Sequence, residues 1–123
     1  MTHGTVRWTE LNTHDAEKAM KFYGAMFGWT FDAMPMGDGN TYYLCNADGE
    51  TAAGIFTMVD PMFTGLPEHW FTYLAVADLG AALSQSDALG GRTMRPPFEI
   101  PGFGVLAIVA DANGGVMGLI QPA

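Results

Sequence analysis

Residues 8–29 read WTELNTHDAEKAMKFYGAMFGW, and this stretch decides the fold. Its first residues alternate, placing Trp8, Glu10 and Asn12 on one face of a strand and Thr9, Leu11 and Thr13 on the other. Asp15 follows a polar turn, where a side-chain oxygen can cap the free N–H groups of a helix start. Ala19, Phe22, Tyr23, Met26 and Phe27 then recur at helical spacing, a stripe suited to packing on a sheet. Gly28 stands where such a helix stops, because glycine enters the left-handed region without steric cost.

Working outward, the same plan returns 63 positions later: Asp15 is matched by Asp78, Gly28 by Gly91 and Trp8 by Phe71. Phe71–Asp78 (FTYLAVAD) alternates like a strand, and the helical pattern AALSQSDAL runs into Gly90-Gly91. Gly54-Ile55-Phe56 and Gly118-Leu119-Ile120 close the two halves alike, which implies an internal duplication.

The remaining elements follow from turn and strand chemistry. The spacing predicts strand one at Val6–Thr13, helix one at Asp15–Phe27 and a short strand at Trp29–Met34. Gly37-Asp38-Gly39-Asn40 reads as a turn, and Thr41–Asn46 as a strand ended by the hairpin signal Asp48-Gly49. Glu50–Met58 is the fourth strand, and Val59–Glu68 reads as a linker. His69–Ala77 is the fifth strand, followed by a helix through Leu89 and a short strand at Arg92–Met94. Arg95–Gly102 holds Pro96, Pro97 and Pro101, too proline-rich for a central strand. Gly104–Ala110 and Val116–Gln121 form a hairpin across Asn113-Gly114. The expectation is one domain over 1–123, with a first module at 1–58, a linker at 59–68 and a second module at 69–123.

This ordered set resembles the vicinal oxygen chelate (VOC) superfamily, which includes glyoxalase I, extradiol dioxygenases and bleomycin- or fosfomycin-resistance proteins. The fragments carrying the resemblance are the Trp8–Leu11 strand, Asp15 with the helix ending FYGAMFGW, the 67–78 segment PEHWFTYLAVAD, Gly90-Gly91, and DANGGVMGLIQP at 111–122. They cover nearly the whole chain and look most like the 27 kDa antigen-like branch. The resemblance implies an α+β fold of two tandem βαβββ modules, forming a concave mixed sheet around a central cavity.

Metal enzymes of the superfamily place ligands on the first and last strands of each module. The matching positions here are Trp8 and Phe71, each seven residues before a helix-opening aspartate, and Gly54 and Gly118 in the last strands. None of these side chains offers an N, O or S donor to a divalent cation. The expectation is therefore the family's fold without its metal chemistry and with no cofactor.

Aromatic residues stand where the ligands would be. The face of Trp8, Glu10 and Asn12 and the face of His69, Phe71 and Tyr73 are expected to line the cavity together with Phe56 and Ile120. Two readings stay open: a working pocket, apolar around a few polar groups, or a cleft plugged by Trp8 and Phe71. Glu10 is the candidate catalytic base, because a carboxyl among aromatics tends to a raised pKa; a solvated or paired glutamate is the plainer alternative. His69, beside Trp70, reads first as a packing residue, and His3 and His14 share no ligand spacing with it. Cys45 reads as a small hydrophobe in its strand. Gly102-Phe103-Gly104 precedes a strand pattern and not a helix, so the context of a phosphate loop is missing.

Composition sets the outer bounds. A chain of 123 residues with 49% hydrophobic content has the length and apolar share of one globular domain. No apolar run approaches the roughly 18 residues of a membrane helix, and the start of the chain lacks the basic-then-apolar pattern of a signal peptide. A single cysteine fits a reducing, cytoplasmic setting. The net charge of −8 argues against nucleic acid and anionic membrane surfaces as partners. The expected function is binding of a small, partly apolar molecule, with metal-independent lyase or isomerase chemistry at the site. Alternatives are a metal-dependent glyoxalase or dioxygenase with displaced ligands, and a non-catalytic drug-binding resistance protein. A homodimer is expected, since a sheet-based half-barrel leaves edges that need cover.

Overall fold

The computed structural model describes residues 2–36 and 39–123. The elements run β1 (Val6–Thr13), α1 (Ala16–Phe27), β2 (Thr30–Pro35), β3 (Thr41–Ala47), β4 (Glu50–Thr57), a 3-10 turn (Pro61–Phe63), β5 (His69–Ala75), α2 (Leu79–Ala88), β6 (Arg92–Ile100), β7 (Gly104–Ala110) and β8 (Val116–Pro122). This is βαβββ given twice, the α+β class that the sequence implied. By internal contacts the chain divides into one unit of Thr9–Phe71 and another that joins the residues up to Trp8 with Thr72–Ala123.

In the Thr9–Phe71 unit the strands lie in the order β2-β3-β4-β1. β2, β3 and β4 are antiparallel neighbours, and β1 joins β4 in parallel, with Glu10 opposite Gly54, Leu11 opposite Ile55 and Asn12 opposite Phe56. The period-two alternation then separates two faces. Leu11, Cys45, Ala53 and Ile55 face α1 and form the core with Ala16, backed by Ala19, Met20, Tyr23, Trp29, Phe31 and Tyr43. Cys45 is fully buried there, and burial pushes its thiol up to about 11. α1 starts where Asp15 accepts the Lys18 N–H at 3.0 Å and stops at Gly28, whose φ of 72° only glycine adopts at no steric cost.

The other unit repeats these rules, with the order β5-β8-β7-β6 and β5 parallel to β8, Tyr73 opposite Gly118 and Leu74 opposite Leu119. Asp78 accepts the Ala81 N–H at 3.0 Å, the counterpart of the Asp15 cap. Val76, Leu79, Ala107, Val109 and Leu119 make its core. The β7–β8 turn is held by Asp111, whose Oδ1 accepts from Asn113 N at 2.8 Å and Gly115 N at 2.9 Å. Those backbone donors, Gly115 first, hold its carboxyl below the usual range.

The structure departs from expectation in β6. The strand does not end at Met94 but continues to Ile100 through Pro96 and Pro97. It lies at the end of the strand order, and its ladder to β7 slips between Arg95 and Phe98, so the missing proline N–H groups fall at the irregularity of an edge strand. The turn expected at Gly37-Asp38-Gly39-Asn40 lies partly outside the described residues; within them, Gly39 has φ 87° and the Met36 N–H bonds the Asn40 carbonyl at 2.9 Å.

Candidate functional site

The face of the Thr9–Phe71 sheet turned away from α1 holds the unit's buried carboxyl and amide groups. β1 sends Glu10 and Asn12 to it, and the registers put Gly54 and Phe56 of β4 beside them and Leu44 of β3 opposite Gly54. Glu10 is only 7% exposed, an unusual place for a carboxyl group, and its Oε1 accepts a 2.8 Å hydrogen bond from the Tyr42 hydroxyl. Tyr42 reaches it across Gly54. A Cβ on Gly54 would lie 1.8 Å from Tyr42 Oη and 2.4 Å from its Cζ, so this position is glycine because a tyrosine ring occupies the side-chain space.

Asn12 and His69 form a second polar pair, Nδ2 to Nε2 at 3.0 Å. The His69 Nδ1–H donates to the Pro67 carbonyl at 2.8 Å, which leaves Nε2 as the acceptor and makes Asn12 present its amide N–H. Asn12 Oδ1 then points elsewhere, and among the described residues it is a buried acceptor with no hydrogen-bond partner. Such an atom carries a desolvation penalty that a donor would relieve. Aromatic rings frame these groups: His69 meets Phe71 edge-on at 6.4 Å, and Phe56 meets Phe63 edge-on at 5.8 Å.

The expected site residues therefore divide. Glu10, Asn12, Phe56, His69 and Phe71 belong to this unit, and Asn12, His69 and Phe71 form one chain of contacts. Trp8, Tyr73 and Ile120 belong to the other unit, where Tyr73 and Ile120 are buried and Trp8 is half-buried. Tyr73 repeats the tyrosine-over-glycine arrangement: a Cβ on Gly118 would fall 2.1 Å from its ring. Sequence reading missed Tyr42 and Phe63. The signal for Tyr42 was Gly54 itself, since a glycine inside a strand marks a close approach.

The metal-ligand places do not fit a cation. Trp8, Phe71, Gly54 and Gly118 supply no donor atoms, and tyrosine rings take the space beside both glycines. Among the described residues, no group of three or more His, Cys, Asp or Glu converges elsewhere.

Two clefts, of about 430 and 480 Å³, lie away from Glu10 on the helix side of each unit. The first is lined by His14, Asp15, Lys18, Phe22, Tyr23 and Glu68, the second by Ala77, Asp78, Ala81, Gln85 and Ser86 among others. They are one groove given twice by the duplication, between the start of a helix and its sheet. No helix among the described residues is long and apolar enough to cross a membrane.

Comparison with known proteins bears on the fold. The family described as bleomycin resistance protein-like N-terminal matches residues 5–42. CFP32 of Mycobacterium tuberculosis, provisionally named a glyoxylase, is 37% identical over 119 residues, covering 96% of this chain and 46% of that protein. The anthracycline biosynthesis protein DauV of Streptomyces sp. is 25% identical over 122 residues, covering 90% of this chain and 44% of DauV. This chain thus spans just under half the length of these relatives. The methylmalonyl-CoA epimerase of Mycobacterium tuberculosis superposes with a TM-score of 0.68 at 17% identity, covering 100% of this chain and 92% of the epimerase. Protein BH1468 of Bacillus halodurans superposes at 0.75 with 8% identity, covering 99% and 96% of the two chains. The chain has the fold of these solved structures and is similar in sequence to the bleomycin resistance protein-like N-terminal family and to CFP32.

Proposed function

We propose that the Glu10 face of the sheet binds a small hydroxylated aromatic molecule without a metal ion. The observation that carries this reading is the Tyr42–Glu10 pair laid over Gly54, a polar group kept in an apolar setting where the superfamily's metal enzymes have a ligand. A buried carboxyl and the buried Asn12 Oδ1 stand two residues apart on one strand face, and both are acceptors. The matching ligand offers O–H or N–H donors at its edge and an aromatic body to Phe56, Phe63 and Phe71. The names of the relatives support the class, since anthracyclines are hydroxylated ring systems and bleomycin-resistance proteins are named for a drug.

If the bound molecule reacts, Glu10 is the group to take a proton from it, with Tyr42 holding the carboxylate in place, which is the lyase or isomerase reading. A non-catalytic binding protein would use the same contacts without that step. The two separate in one experiment. Thermal-shift assays with a dihydroxynaphthoquinone, and with naphthoquinone lacking the hydroxyls, should show stabilisation by the first compound alone. Product analysis of the same mixture then reports turnover or its absence. Equal stabilisation by both compounds would remove the acceptor pair from the account.

A further inference from the structure

The edge strand β6 aims two arginines in a way that their spacing in the sequence would forbid. Arg92, Arg95 and Phe98 stand three residues apart, so a regular strand would send them to alternating faces. The ladder to β7 instead shifts twice, setting Arg92 opposite Ala110, Arg95 opposite Ile108 and Phe98 opposite Leu106. Each shift advances β6 by three residues for two of β7, so all three side chains share one face. It is the face turned away from α2, since Ala107 and Val109 between these partners pack in the core with Leu79.

Neither the fold nor protection of the edge requires this arrangement. β2 is the edge strand of the other module, and its ladder to β3 runs residue for residue from Thr30 opposite Asn46 to Pro35 opposite Thr41. There the counterpart of Arg95, 63 residues earlier, is Asp32, which accepts a 2.8 Å hydrogen bond from Asn46. Pro96 and Pro97 already blunt the β6 edge by removing its donors. Bulges that re-aim side chains are features of binding and catalytic faces.

The two guanidinium groups are held beside apolar surface. The Arg95 Cζ lies 3.6 Å from the centroid of the half-buried Phe98 ring, and Arg92 Nε donates to Met94 Sδ at 3.4 Å. Their register partners place them about 7 Å apart along the strand. Among the described residues, the registered positions of β5, β7 and β8 on this face are all uncharged, and Glu99 goes to the opposite face with Val105. A chain of net charge −8 with five Lys and Arg in total thus sets two of them together with no carboxylate between. We infer that this face binds a small aromatic acid, its oxyanion held by the Arg92 and Arg95 forks and its ring laid on Phe98.

Calorimetric titration at low salt with naphthoate, naphthyl phosphate and the neutral naphthamide tests this. Both acids should bind saturably and weaken as salt is added, and the tighter of the two identifies the preferred oxyanion. Naphthamide should bind at least tenfold more weakly than the acids. Arg95→Gln and Arg92→Gln, which change only exposed side chains, should each raise the dissociation constant about tenfold or more, with near-ultraviolet circular dichroism unchanged. Lys21→Gln removes an exposed cation from α1 and should leave binding as it was. Glu10→Gln should do the same, because Glu10 belongs to the other unit. No binding of either acid, equal binding of naphthamide, or binding unaffected by both arginine substitutions overturns the proposal. So does a loss confined to Glu10→Gln, which would place the acid on the Glu10 face.

Discussion

The Tyr42 hydroxyl donates to Glu10 Oε1 at 2.8 Å, and its ring lies over Gly54, the residue paired with Glu10 in the neighbouring strand. Three residues on three adjacent strands thus form one device. The glycine leaves room for the ring, the ring brings the hydroxyl to the carboxyl, and the hydroxyl compensates part of the cost of burying it.

Removing the hydroxyl or the room should do similar damage. Tyr42→Phe leaves the Glu10 carboxyl short of a donor and should cost about 1–3 kcal/mol. Gly54→Ala forces the ring aside, an overpacking of about 1–3 kcal/mol. Because both act through Tyr42, the double variant should fall well short of the sum. Chemical denaturation of the four proteins measures this, and strict additivity would dissolve the device.

The two helix caps give a test of the duplication. Asp15 and Asp78 accept N–H bonds of the same 3.0 Å length from Lys18 and Ala81. Asp15→Ala and Asp78→Ala should each cost about 1 kcal/mol. Unfolding curves that differ between the variants by several times that amount would show that the equivalent positions are not energetically equivalent.

Cys45 sets an alkaline limit. Burial favours the neutral thiol in the folded state, with a pKa of about 11 against an ordinary 9.0. The folded chain therefore holds its proton more tightly than the unfolded one, and the associated stability is present below pH 9.0 and lost as pH rises toward about 11. Cys45→Ala or Cys45→Val should flatten that decline in denaturation midpoints. At neutral pH the thiol should resist Ellman's reagent until the protein unfolds; rapid labelling of the native chain would contradict this.

Much of this was legible in the residues. The helix ends were written in Asp15, Gly28 and Asp78, and the two-module plan in the 63-residue offset. The face carrying Glu10 followed from alternation, which fixes the side of a strand but not what lies across it. Tyr42 stayed hidden because it meets Glu10 through two strand pairings, β3 on β4 and β4 on β1, and those registers are tertiary facts. The extension of β6 stayed hidden for a related reason. A proline excludes a central strand, and only the topology shows that β6 is an edge.

Metal content is predicted from the donor set. Elemental analysis after mild purification should find no stoichiometric zinc, nickel, iron or manganese, because the four ligand places hold Trp8, Phe71, Gly54 and Gly118. One tightly held equivalent, lost on changing Glu10 or His69, would instead establish a displaced site.

Calorimetric titration of a dihydroxynaphthoquinone into chelator-treated protein tests most directly whether the Glu10 face binds its ligand through acceptors and without metal. Saturable binding should survive the chelator. It should weaken about tenfold or more in Glu10→Gln and Tyr42→Phe, the loss of one or two hydrogen bonds to a charged group. Binding that needs added metal, or that is unchanged in Glu10→Gln, would contradict the account, as would no binding by the wild-type chain, which would leave the aromatic side chains as core filling alone.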